Sequence, residues 1–275
     1  MSLQTGAPIG VFDSGLGGLS VVRQLRAVLP RESILYAADS HYCPYGERSL
    51  SEIQLRSIAM VSYLVRTGAK IVIVACNTAS AASVELLRER FPIPIVAMEP
   101  AVKPAVTLTI TGKITVLATP STAESSRLRN LIERYGAGLD VRAIGVTGLA
   151  DCIETGEVDG HRVRSLLAHP VQQQVQDGVD VIVLGCTHYP FATGVIDDLA
   201  GPGIQIIDSG NAVARRTRDV LMTRNELAGI GPPATFTMVT TGDPSIVQPV
   251  VERLLDQRVQ VRRVDERAHA VVAPG

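Results

Sequence analysis

Cys76 and Cys186 each end a short apolar run, IVIVACNT and VIVLGCTHYP, and the two runs look like copies of one another. Runs so rich in Val and Ile predict buried parallel strands. A sulfur at the end of such a strand, followed by polar residues that open a helix (Asn77 and Thr78, then Thr187 and His188), sits at the carboxyl edge of the sheet. Open α/β folds bind their ligands there, and the adjacent helix N-terminus favours a thiolate. One thiol from each half of the chain, facing a shared cleft, is suited to two-base proton transfer at a carbon centre: one group removes a proton from one face and the other delivers a proton to the opposite face. The plain alternative, an ordinary buried strand cysteine, does not account for the repeated polar sequel.

The run GVFDSGLGG adds Asp13 and Ser14 at a strand end, before Gly15, Gly17 and Gly18 in the turn to a helix. Such a turn exposes backbone N–H groups to an anion. It lacks the third glycine of the dinucleotide fingerprint, and Asp39 is the one acid placed to hold a ribose. A carboxylate at this mouth repels phosphates and suits an ammonium group or a thiol proton. After the second strand, ADSHYCPYGERS sets Pro44, Tyr45 and Gly46 in a rigid turn able to present backbone donors and a phenol; Cys43 beside it reads as structural. In the second half, His188 lies two residues beyond Cys186, where an imidazole can hold a substrate or tune the thiol. Glu154, in LADCIETGE, has the pattern of a surface glutamate.

Other chemistries fit less well. A zinc site built from Cys76, Cys186 and His188 has no standard ligand spacing, so no metal is expected. The four cysteines, Cys43, Cys76, Cys152 and Cys186, form no CxxC pair and suggest no disulfide framework. A pyridoxal Schiff base needs a lysine at the site. The chain has only Lys70, Lys103 and Lys113; two stand before strands, at the edge opposite the cysteines, and Lys103 precedes Pro104. No cofactor is expected.

The elements that position these residues follow from an internal duplication. Cys76 aligns with Cys186, Ile93 with Ile204, Ile9 with Ile114, and YAAD near Asp39 with VRAIG near Ile144. Each half reads as alternating strands and helices. The stripe Leu50, Ile53, Ile58, Val61, Leu64 and Val65 lays one helix against a sheet. The expected fold is α/β, with two similar doubly wound parallel-sheet domains and the active site in the cleft between them. The domains are expected at 1–98 and 99–206, the second completed by 228–265, with a mobile tail at 266–275. The length of 275 residues suits two modest domains, and 46% apolar residues can fill two cores. A net charge of −1 offers no nucleic-acid surface. No stretch spans a membrane and MSLQTGAP is not a signal peptide, so a cytoplasmic protein is expected.

FDSGLGG, PYGER, ACNTAS and GCTHYP, in this order, resemble the motifs of the glutamate racemases. These are cofactor-independent enzymes of the aspartate/glutamate racemase superfamily that make D-glutamate for peptidoglycan. The resemblance extends from about Ile9 to Asp243. It implies that Cys76 and Cys186 are the catalytic thiols, Cys76 acting on D-glutamate and Cys186 on L-glutamate. Asp13 would assist Cys76, and Glu154 with His188 would assist Cys186. Substrate contacts would come from Asp13, Ser14, Tyr45, Gly46, Asn77, Thr78, Thr187 and His188. It further implies a late segment crossing back to the first domain, around 207–227, and, by family analogy only, an interaction with DNA gyrase. A homodimer is the general expectation. An aspartate or hydantoin racemase, a decarboxylase that keeps one cysteine, and a non-catalytic metabolite-binding protein remain open; the second cysteine disfavours the decarboxylase and PYGER favours glutamate.

The two-thiol reading predicts that Cys43→Ser and Cys152→Ser keep most of the activity, while Asp13→Asn and His188→Asn lose much of it and stay folded. Polarimetric racemisation assays check this. Damage from Cys43→Ser equal to that from Cys76→Ser redraws the assignment around the Pro-Tyr-Gly turn.

Overall fold

Strand and helix alternate along the chain: β1 (Ile9–Asp13), α1 (Leu19–Val28), β2 (Ile34–Ala38), α2 (Leu50–Arg66), β3 (Ile71–Val74), α3 (Asn77–Arg90) and β4 (Ile95–Ala97). A second round follows, with α4 (Val102–Leu108), β5 (Lys113–Ala118), α5 (Pro120–Ala123), α6 (Ser126–Tyr135), β6 (Asp140–Gly145), α7 (Leu149–Glu154), α8 (His161–Gln176), β7 (Val181–Leu184), α9 (Thr193–Ala200) and β8 (Gln205–Ile207). The remainder is α10 (Gly210–Thr223), β9 (Phe236–Thr240), α11 (Pro244–Leu255) and β10 (Val261–Arg263). This computed structural model describes residues 6–264, so the tail expected at 266–275 lies outside the described residues. Two compact units result, one taking the chain through Met98 and again from Gly210, the other Glu99–Ser209.

Every strand pairing is parallel, in the order β10-β9-β2-β1-β3-β4 in the first unit and β6-β5-β7-β8 in the second. The order β2-β1-β3-β4 thus recurs as β6-β5-β7-β8. Register recurs with it. Ile9 pairs with Ile71, and their aligned counterparts Ile114 and Val181 pair with each other. Val72 pairs with Ile95, as Ile182 does with Ile206. In the first unit Phe12, Leu35, Val72 and Val74 bury one sheet face under Ile53, Met60 and Leu64 of α2 and Val84 and Leu87 of α3. Helix α1 packs against α10 and α11. In the second unit Ile114, Val116, Val181 and Val183 form a core with Val102, Ala105 and Leu128.

Two expectations are corrected. The segment 228–265 does not complete the second unit; β9 pairs with β2, Tyr36 opposite Met238, and β10 pairs with β9. Without β9, β2 would be an edge strand with a row of unpaired backbone groups. The other concerns α2, whose start is fixed by a capping box between Ser49 and Glu52. Ile53, Ile58, Val61 and Leu64 are buried, but Leu50, in the first turn, is 60% exposed and Val65 is half-buried at the rim of the stripe. Among the described residues no helix is long and apolar enough to cross a membrane.

The link from α10 to β9 is fastened by a buried ion pair. Lys70 Nζ lies 2.6 Å from Glu32 Oε2, with side chains 1% and 3% exposed. Lys70 also donates to the Glu226 carbonyl at 2.7 Å, and Glu32 Oε1 accepts from Ala228 N at 2.7 Å. Lys70→Met strands the Glu32 carboxylate in the interior, so it is expected to lower unfolding free energy by about 3–5 kcal/mol. Adding Glu32→Leu restores a large part of that loss. Guanidinium unfolding of both variants is the measurement; equal midpoints for wild type and Lys70→Met rule the anchor out.

Candidate active site

Because β1 and β3 pair with Phe12 opposite Val74, the residues that follow them leave the sheet side by side. Asp13 is fully buried there. Its Oδ1 accepts from Ser14 Oγ at 3.0 Å and from Gly15 N at 3.2 Å. Ser14 Oγ is also 3.5 Å from Cys76 Sγ, so the hydroxyl bridges carboxylate and sulfur. Cys76 is the N-cap of α3, its sulfur accepting from Ala79 N at 3.4 Å. An N–H donor and the helix dipole together stabilise negative charge on sulfur. The turn has room only for glycine at position 18, where a Cβ would lie 2.7 Å from Asp13 Oδ2 and 2.9 Å from Tyr36 Oη. The Tyr36 hydroxyl in turn donates to the Gly15 carbonyl at 2.7 Å.

Asn77 and Thr78 follow in the first turn of α3. Asn77 is buried, and its Oδ1 has no hydrogen-bond partner among the described residues. Native interiors rarely leave such an acceptor unmet. Tyr45 corrects an expectation. Its phenol does not face outward from the Pro-Tyr-Gly turn; the ring is buried and the hydroxyl donates to Asp39 Oδ2 at 2.6 Å. Burial, then the Asp39 carboxylate, hold the Tyr45 pKa well above its usual value. The phenol is therefore engaged within the first unit. Asp39, read from sequence only as a candidate ribose acid, is instead a hub inside the first unit.

In the second unit Gly185 brings β7 close against β5; a Cβ there would lie 2.9 Å from Val116 Cγ1 and 3.1 Å from the Leu117 carbonyl. Cys186 follows, buried, with Sγ 3.5 Å from His188 Nδ1. His188 Nε2 meets Glu154 Oε1 at 2.5 Å, at the last residue of α7. Glu154 is therefore not the surface glutamate its local sequence suggests; its side chain is 18% exposed and turned onto the imidazole. Tyr189 pins the turn, its hydroxyl donating to the carbonyls of Ala118 and Val146, both at 3.0 Å. Thr187 is buried between Cys186 and His188. Burial opposes charge on His188, but the hydrogen bonds it makes to Cys186 and Glu154 prevail and raise its pKa well above the usual 6.5. The arrangement favours an imidazolium held between the Cys186 sulfur and the Glu154 carboxylate.

Each unit thus carries one sulfur, one hydrogen-bonding side chain and one carboxylate in a row: Cys76, Ser14 and Asp13 in the first, Cys186, His188 and Glu154 in the second. None of the four cysteines is in a disulfide. Cys152 is fully buried in α7, and burial pushes its pKa up. The lysines are engaged elsewhere: Lys70 with Glu32, Lys113 Nζ on the Asp177 carbonyl at 2.7 Å, and Lys103 over the Tyr135 ring.

The raised pKa of His188 ties stability to pH. A group whose pKa rises on folding stabilises the fold fully below its unfolded value, about 6.5 for histidine, and loses that contribution as pH rises through the folded value. Wild type is therefore expected to exceed His188→Gln in stability most near pH 6, with the gap narrowing in alkaline solution. Thermal unfolding of both proteins across that range gives the curve; a gap that widens with pH contradicts the imidazolium.

Comparison with known proteins follows the same lines. Residues 17–217 match the family described as Asp/Glu/Hydantoin racemase. A glutamate racemase of Ectopseudomonas mendocina is 42% identical over 259 residues, covering 94% of this chain and 98% of that protein. The crystal structure of a glutamate racemase isoform from Bacillus anthracis superposes with a TM-score of 0.85 at 32% identity, covering 95% of this chain and 98% of that one. A glutamate racemase from Francisella tularensis, solved in complex with D-glutamate, gives a TM-score of 0.81 at 28% identity, covering 95% and 99%. Motifs, topology and relatives agree: the chain belongs to the Asp/Glu/Hydantoin racemase family.

Proposed function

We propose that this chain interconverts L- and D-glutamate without a cofactor, using Cys76 and Cys186 as paired acid–base groups at the α-carbon. The observation that carries the reading is that each sulfur contacts a side chain which is itself hydrogen-bonded to a carboxylate. A lone strand cysteine needs no such support. The substrate assignment is supported by the relatives, glutamate racemases at 42% identity over nearly the whole chain, and by the D-glutamate bound to the Francisella protein.

In the L-to-D direction, the Cys186 thiolate, paired with the His188 imidazolium, takes the α-proton and becomes a thiol. Cys76, as the thiol, delivers its proton to the opposite face and is left as thiolate, supported by Ala79 N and the N-terminus of α3. The D-to-L direction exchanges the roles. The ammonium group of the substrate suits Asp13 and the unmet Asn77 Oδ1, and backbone N–H groups of the Tyr45–Gly46 turn suit a carboxylate. Donors of that kind stabilise the charge that develops on the substrate carboxylate as the α-proton leaves. Thr78, Thr187 and Ser14 complete the proposed contacts. A cytoplasmic homodimer that supplies D-glutamate to peptidoglycan synthesis is part of the same reading, and an association with gyrase follows from family analogy alone.

Two measurements test it. Cys76→Ser or Cys186→Ser is expected to cut racemisation by about 10²–10⁴-fold, because a serine hydroxyl is neither acid nor base enough at neutral pH. In deuterated water, the product enantiomer should carry solvent deuterium at Cα while the remaining substrate stays largely unlabelled early on. Full racemisation after either replacement, or substrate labelled as fast as product, defeats the two-base mechanism. Activity with aspartate or a hydantoin in place of glutamate overturns the substrate.

A further inference from the structure

We propose that Asp39 is a positioning residue for this reaction, holding Tyr45 and the turn it begins in register with Cys76. The inference rests on the racemase reading above. Asp39 is fully buried at the end of β2 and accepts four hydrogen bonds. Two come from Arg56 of α2, Nε to Oδ2 at 2.9 Å and Nη2 to Oδ1 at 2.8 Å. The third comes from the Tyr45 hydroxyl at 2.6 Å, and the fourth from Thr241 Oγ1, just past β9, at 2.8 Å. One carboxylate therefore ties a strand end, a helix, the Pro-Tyr-Gly turn and the returning segment of the chain to one point.

The same cluster grips the turn at its other end. The Arg56 guanidinium lies 3.8 Å from the centroid of the Tyr42 ring, and Arg48 Nε donates to the Tyr42 carbonyl. Residues 42–48 are thus held from both sides. The Tyr45 ring packs in the same core cluster as Cys76 and stands 6.2 Å from the Phe12 ring. The bidentate Arg56 pairing neutralises Asp39 in the interior, which leaves the carboxylate free to act as an anchor without setting a net charge beside the sulfur.

A purely structural role for Asp39, fastening α2 to the sheet, makes a different prediction, and two variants separate them. Tyr45→Phe and Thr241→Val each remove one hydrogen bond from the same carboxylate. Under the proposal, Tyr45→Phe raises KM for both enantiomers about tenfold, equivalent to about 1.4 kcal/mol, with kcat little changed, while Thr241→Val lowers only the melting temperature. Asp39→Asn, where it folds, reproduces the KM increase. Alkylation of Cys76 by iodoacetamide, followed by peptide mass spectrometry without substrate, should change severalfold in Tyr45→Phe and not in Thr241→Val. This readout needs no turnover, so it judges Asp39 and Tyr45 separately from the substrate assignment, which fails only if wild type leaves glutamate unchanged. Equal KM values in Tyr45→Phe and wild type, or equal Cys76 alkylation in the two variants, overturn the proposal.

Discussion

The parallel pairing of β1 with β3 is the constraint on which the first half-site depends. With Phe12 opposite Val74, Asp13 and Cys76 emerge from neighbouring strands at one edge, close enough for a single serine hydroxyl to touch both. A slip of one residue would turn every side chain of β1 to the other face, burying Asp13 on the wrong side and breaking the bridge. The close contacts at Gly18 and Gly185 serve the same end, since each lets a strand exit lie against its neighbour without a side chain between them.

The two units repeat this frame but not its chemistry. Asp13 of β1 corresponds to Ala118 of β5, and Ser14 to Thr119, which caps α5 through Thr122 N instead of touching a sulfur. The second unit has no carboxylate at its first strand end. It recruits Glu154 from α7 and relays it through an imidazole rather than a hydroxyl. Two thiols with different partners stand on one shared topology. For a reaction between mirror images, whose equilibrium constant is one, kcat/KM must be the same in both directions. Any difference between the thiols can show only in kcat and KM taken separately, or in their pH dependence.

Much of this was legible in the sequence because it is local. Apolar runs read as strands, a cysteine at the end of a run marks a sheet edge, and the copied spacing of the halves foretells their shared strand order. What the sequence hid depends on partners far along the chain. Nothing around Phe236 says that its strand pairs with β2 rather than with a strand of the second unit, so the local sequence of 228–265 does not reveal its sheet. The sequence does not reveal the acceptor of the Tyr45 phenol, because Asp39 is reached only through the fold. Glu154 carries no motif of its own, and only its contact with His188 distinguishes it from a surface acid.

The return of the chain at Gly210 has a consequence for synthesis. The unit Glu99–Ser209 is one continuous stretch and holds all its strands as soon as it has been made. The first unit does not. During translation β2 remains an open sheet edge, and Lys70 and Glu32 lack their Glu226 and Ala228 backbone partners, until the whole intervening unit has left the ribosome. An uncovered strand edge is where chains pair with one another, so the risk of misassembly falls in the interval between making β4 and making β9.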